Sequence, residues 1–211
     1  NPYAFLDDAP LEERRARAVD MRRSLPPELA GGMGALDQSA VDQVSEESWP
    51  VVRDAEEFHD ALLSLGWVPC ERMPGWDLLV PTLAAAGRVA TLWQGETKLG
   101  WLAAEYRHYA CLLFPDARID PATGPVDSTE QVEQEEVLNR VVLGWMESIG
   151  PTTAGELSQT LHLSESDVQS AFLRLESQGH LLRGRFSPHA SRTTSDEIGR
   201  ASCRERVYHP V

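Results

Sequence analysis

The chain has 211 residues, 42% hydrophobic and 25% charged, an ordinary globular composition with room for roughly one to three small domains. Its net charge of −14 opposes loose, sequence-blind attraction to phosphate backbones, so any nucleic-acid contact must be local. No apolar run approaches the roughly 20 residues of a membrane span, and the amino end lacks the basic-then-apolar layout of a signal peptide. Cys70, Cys111 and Cys203 are odd in number and widely spaced, which argues against a disulfide framework. A cytoplasmic protein with reduced thiols and no membrane partner is expected.

Residues 1–24 begin Asn-Pro-Tyr-Ala-Phe-Leu-Asp-Asp-Ala-Pro, an apolar extended opening that leads into a charged helix with Pro10 in its first turn. Glu12, Glu13 and Asp20 stand there against Arg14, Arg15, Arg17, Arg22 and Arg23, a mix that reads first as a solvated helix face. A start at Asn1, directly inside this informative stretch, suggests a piece of a longer protein. Pro26-Pro27, Gly31-Gly32 and Gly34 then mark a break before a weaker helical pattern through Leu36, Val41 and Val44.

Asp54 with Glu57 three residues on predicts a capped helix whose stripe is Phe58, Ala61, Leu62 and Leu65, closed by Gly66. After a loop around Cys70 and Pro74 the pattern predicts a second helix over 77–86, with Pro81 tolerated in its first turns. The runs 88–93 and 99–103 are strand-like and flank Gln94-Gly95-Glu96-Thr97-Lys98, a β-hairpin. Helix, helix, hairpin is winged-helix order, so 51–114 is expected to form a first winged-helix-like module. It closes with a helix over 106–114, and 115–127 reads as a turn-rich linker.

The second module, 128–188, carries the fullest set of local signals. Ser128-Thr129-Glu130-Gln131 has the form of a capping box, followed by a stripe of Leu138, Val141, Val142, Trp145 and Ile149. Thr153 with Glu156 and Ser164 with Asp167 open two further helices, which bury Ala154, Leu157 and Leu161, then Val168, Ala171, Phe172 and Leu175. Gly179 ends the last helix, and Leu181-Leu182-Arg183-Gly184-Arg185-Phe186 starts a β wing. The fold class expected is α+β, mainly helical, with two winged-helix-like modules preceded by a helical segment over 1–50. Residues 189–211 are expected to be a disordered or non-native tail: 197–207 resembles the in-frame translation of a sequencing adapter, so 195–211 is set aside from fold and function.

Three stretches carry a family resemblance in one order. They are residues 2–17, the run Glu47-Ser48-Trp49-Pro50 leading into 54–62, and Leu181-Leu182-Arg183-Gly184-Arg185-Phe186. Together they resemble the large helicase-related (Lhr-type) family of ATP-dependent DNA helicases over about residues 1–188, at the junction where the helicase core ends and its carboxy-terminal extension begins. The resemblance implies that 1–50 closes the helicase-associated core. It also implies an accessory nucleic-acid-binding or domain-docking segment of a DNA-repair helicase, not catalytic alone, with DNA and the parent's other domains as partners. ATP and magnesium would belong to the parent. The family's extension also resembles tandem-winged-helix DNA glycosylases, but no residue here matches that chemistry.

The residues themselves offer little catalysis. ATP hydrolysis needs a phosphate-cradling glycine loop, and no G-x-x-x-x-G-K-[ST] occurs. Asp7 and Asp8 point to opposite sides of an extended segment, a poor metal pair. His108 and Cys111 share a helix face with His59 and Cys70 as distant partners, without the paired short spacings of structural zinc. Nucleic-acid contact is the serious candidate. A winged helix reads DNA with its third helix, whose outward positions here include Gln169, Ser170, Arg174 and Ser177, and touches backbone with the wing, where Arg183 and Arg185 project from one side. Those arginines either meet phosphate or pair with acidic neighbours or another domain. Trp93 and Trp101 are a stacking platform for bases or, more blandly, a buried cross-strand pair. The rival from a different class is a protein-binding tandem winged-helix scaffold without direct DNA contact.

Overall fold

The computed structural model describes residues 38–72, 75–121, 132–184, 186 and 197–200. Among them, in chain order, are α1 (Gln38–Ser48), α2 (Ala55–Leu65), β1 (Trp67–Pro69), α3 (Val80–Ala85), β2 (Val89–Gln94), β3 (Thr97–Ala103), α4 (Arg107–Leu113) and β4 (Arg118–Asp120), then α5 (Gln134–Ser148), α6 (Ala154–Leu161), α7 (Glu165–Ser177), β5 (Leu181–Gly184) and β6 (Glu197–Arg200). The fold is α+β and mainly helical. The charged helix expected in 1–24, Asp7, Asp8, the box at Ser128-Thr129-Glu130-Gln131, Arg185 and Cys203 lie outside the described residues.

Local chemistry sets the starts of α2, α6 and α7. Asp54 accepts the Glu57 backbone N–H at 2.9 Å, and Glu57 reaches back to the N–H of Arg53 at 2.8 Å, one residue earlier than a capping box uses. Thr153 and Glu156 form the complete box: Glu156 N–H donates to Thr153 Oγ1 at 3.2 Å and Thr153 N–H donates to Glu156 Oε2 at 3.0 Å. Ser164 caps α7 through the Asp167 N–H. α5 starts at Gln134, and its N-cap Glu133 makes no side-chain cap. The helix expected over 77–86 divides into a 3-10 turn, Trp76–Leu79, and α3. Pro81 is the reason: its ring collides with a carbonyl four residues back, so an α-helix can start beside it but not run through it.

Two antiparallel sheets result. In the first the order is β1-β3-β2-β4, with Val68 opposite Trp101 and Thr91 opposite the other side of Trp101. β2 and β3 join through a two-residue turn in which Gly95 takes φ +59°, and a bulge interrupts their register between Leu92 and Trp93. Three-residue β1 and β4 escaped the sequence reading because so short a run shows no alternation; β4 lies within the stretch read as linker.

The second sheet pairs β5 with β6, and Thr152 bridges Ile198 on the far side of β6, giving the order Thr152, β6, β5. Residues 197–200 thus form an ordered strand within the stretch expected to be a disordered or non-native tail. Ile198 and Thr152 exchange backbone hydrogen bonds of 2.8 and 3.0 Å, and the Ile198 side chain is buried. Backbone donors and acceptors are generic, so one apolar residue in register with the core is enough to hold such a strand.

Both halves share one apolar interior that includes Phe58, Leu62, Trp67, Leu102, Val142, Trp145, Leu157 and Phe172. Trp145 is fully buried and its indole N–H donates to the Trp67 carbonyl at 3.3 Å. Trp49, just past α1, lies on Trp76 with 5.8 Å between ring centroids and on Trp145 with 5.6 Å. α2 and α5 approach so closely that a Cβ at Gly144 would strike the Ser64 carbonyl oxygen.

Candidate nucleic-acid interface

α7 and β5 carry the predicted contact residues other than Arg185, and most of these are already partnered. Arg174 Nη2 lies 3.0 Å from Glu135 Oε2, reaching from α7 to α5. Arg183, exposed on β5 opposite Ile198, donates to Glu176 Oε2 at 3.2 Å. Gln169 is half-buried. Ser170 and Ser177 give their hydroxyl protons to the carbonyls of Ser166 and Arg174 on their own helix. Arg185 lies outside the described residues.

Charge on α7 works against entry between phosphates. The helix carries Glu165, Asp167 and Glu176 against Arg174, a balance of one minus three, or −2. Its exposed face also presents Leu173, 53% exposed. Two surface ion pairs of this kind contribute little to stability, and each neutralises an arginine that would otherwise be available to phosphate.

The other aromatic and titratable candidates are absorbed into packing. Trp101 is buried between β1 and β2, where Thr91 and Val68 are its cross-strand neighbours, and Lys98 Nζ sits 4.2 Å from its ring centroid. Trp93 is half-buried with the Arg118 guanidinium 5.2 Å from its ring centroid. Buried tryptophan packing, not an open stacking platform, is what the hairpin presents. Cys70 donates its S–H to the Lys98 carbonyl at 3.6 Å, and burial pushes its thiol above the ordinary value. Among the described residues no group of three or more His, Cys, Asp or Glu side chains is placed to hold a metal ion.

One polar constellation was not foreseen. Arg88, at the start of β2, donates to both Glu56 carboxylate oxygens at 2.6 and 2.7 Å and to His59 Nδ1 at 2.8 Å. With Nδ1 accepting, Nε2 carries the His59 proton and donates to Glu105 at 3.2 Å. The hydrogen bond to Arg88, and then its charge, holds the Glu56 carboxyl below its usual value; the same bond raises Arg88. This chain of four groups clamps α2 to the start of the hairpin and to the 3-10 turn Ala104–Tyr106. Its members are up to 49 residues apart (105 minus 56), so no local spacing announces it.

The described region is therefore a mainly helical α+β protein with a common interior and a surface on which Arg174 and Arg183 are ion-paired. No protein-family model matches the chain, and no curated protein matches it.

Proposed function

We propose that the chain is an accessory, non-catalytic segment of a large helicase-related DNA-repair protein. Its two halves act as winged-helix-like modules that dock the carboxy-terminal extension as one stiff block. The observation that carries this reading is that each half sets an antiparallel strand pair, β2 with β3 and β5 with β6, beside its helices around a common core, with β1 added to β3 in the first half and the single residue Thr152 added to β6 in the second. In this reading ATP and magnesium are bound by the parent's motor, and the segment's partners are the parent's other domains.

Direct DNA contact is the second reading, favoured by the exposure of Arg183 on the wing strand. It assigns Arg174, Arg183, Arg185 and Gln169 to the backbone of a single-stranded or tailed duplex. The paired state of Arg174 and Arg183 and the acidity of α7 make docking the stronger of the two. Electrophoretic shift of single-stranded and tailed DNA by the full chain separates them. Docking predicts no shift at low salt; DNA contact predicts a shift whose salt dependence becomes shallower in an Arg183→Ala/Arg185→Ala variant. A shift with an unchanged salt slope removes these arginines from any DNA interface.

A further inference from the structure

A cleft of about 340 Å³ opens between the two halves, lined by Arg72 from the 3-10 turn Cys70–Arg72, by the end of α5 and by the first turns of α6. That volume lies in the range of small-molecule sites. Trp145 and Leu157, both buried, and Ile149, half-buried, give the cleft its apolar wall. Arg72, Glu156 and Gln159 are exposed and line it as well.

These polar groups are not spent on one another. Arg72 and the Gln159 side-chain amide make no hydrogen bond or ion pair among the described residues. Glu156 uses one carboxylate oxygen, Oε2, for the Thr153 N–H at 3.0 Å and the Thr152 hydroxyl at 3.1 Å, which leaves Oε1 without a partner among the described residues. The bond from the Thr153 backbone holds this carboxyl below its usual value, so it is an anion at neutral pH.

One cleft thus presents a cation and an anion that do not pair with each other. A ligand that is only anionic would meet Glu156, and one that is only cationic would meet Arg72; a zwitterion satisfies both. The planar guanidinium fork matches the two oxygens of a carboxylate, and a carboxylate oxygen such as Glu156 Oε1 accepts from an ammonium. The apolar wall then suits an aliphatic side chain.

We propose that this cleft binds a small zwitterion of the amino-acid class, an apolar α-amino acid or dipeptide, with its carboxylate on Arg72, its ammonium on Glu156 and its side chain against Ile149. This inference goes beyond the docking proposal and does not depend on it.

Thermal unfolding of the full chain tests it, with L-leucine and leucyl-leucine titrated separately, each also as its N-acetyl derivative and as its carboxamide. The expected result is a saturable rise in Tm of about 5–10 °C at about a hundredfold excess over Kd for at least one of the two zwitterions. The tighter of the two assigns the length of the ligand. Its N-acetyl and carboxamide derivatives, each lacking one charge, should bind about tenfold more weakly or worse. Arg72 is exposed and makes no bond in the fold, so Arg72→Gln should fold and lose about tenfold or more in affinity. Glu156→Gln keeps an oxygen for the α6 cap but loses the charge, and should no longer discriminate against the N-acetyl derivative. No saturable response to either zwitterion overturns the proposal, as do derivatives that bind as tightly as the zwitterion or an equal Kd in wild type and Arg72→Gln.

Discussion

The halves on either side of residues 122–131 each hold an antiparallel strand pair, within a four-stranded sheet in the first and a two-stranded sheet in the second, and they hold it by different means. In the first, β3 is buried along most of its length and the hairpin closes through a two-residue turn, with Arg88, Glu56, His59 and Glu105 bolting it to α2. In the second, the strands are four residues long, twelve residues separate β5 from β6 (185–196), and order comes from helix caps and from Ile198 in the core. An antiparallel strand pair is thus held by two different bonding schemes. What distinguishes them is how much of the strand pair is covered: β3 is buried from Leu99 to Ala103, whereas β5 buries Leu181 alone.

The largest test of that comparison is Trp145→Ala. Loss of the side chain should cost about 3–5 kcal/mol, and both halves should unfold in a single denaturant transition because they share the cavity it leaves. Two separated transitions by near-UV dichroism and hydrogen exchange would break the picture of a common interior. Gly144→Ala should cost about 1–3 kcal/mol, since its methyl must displace the Ser64 carbonyl where α2 crosses α5. A neutral result in urea titration would mean that the crossing is looser than its geometry implies.

Smaller effects sharpen the contrast between clamp and caps. Thr153→Ala should cost about 1 kcal/mol by chemical denaturation, as it removes one half of the α6 box. The backbone N–H of Thr153, more than the Thr152 hydroxyl, holds the Glu156 carboxyl below its usual value despite partial burial. With the folded value depressed, this stabilisation is complete above the unfolded carboxyl value, about 4.3, and is lost as pH falls through the lower folded value. Glu156→Gln should therefore flatten the acid limb of the stability curve over that window, and an unchanged limb would remove Glu156 from the account. Smallest of all, Arg174→Ala and Arg183→Ala should each change stability by less than about 1 kcal/mol, with double-mutant cycles against Glu135 and Glu176 giving coupling within the same range.

Local rules carried far along this chain where one residue could act on its near neighbours. Asp54, Thr153 and Ser164 cap helices as their hydroxyl and carboxylate oxygens require, and the stripes Phe58, Ala61, Leu62, Leu65 and Val168, Ala171, Phe172, Leu175 are all buried. The candidate site was legible only as a set of names. Spacing put Arg183 and Arg185 on one side of the wing strand and Arg174 on the outer face of its helix but said nothing of Glu135, 39 residues before Arg174 (174 minus 135).

By itself, then, the sequence determined the capped starts of α2, α6 and α7, the hairpin turn at Gly95 and the faces that must be hidden, because hydrogen-bond caps and apolar periodicity act over three or four residues. Only tertiary structure decided that Trp49, Trp76 and Trp145 meet, that β6 completes the second sheet and that Arg174 and Arg183 are ion-paired. Those outcomes depend on which distant groups come within hydrogen-bonding or van der Waals reach, and no local pattern encodes that distance.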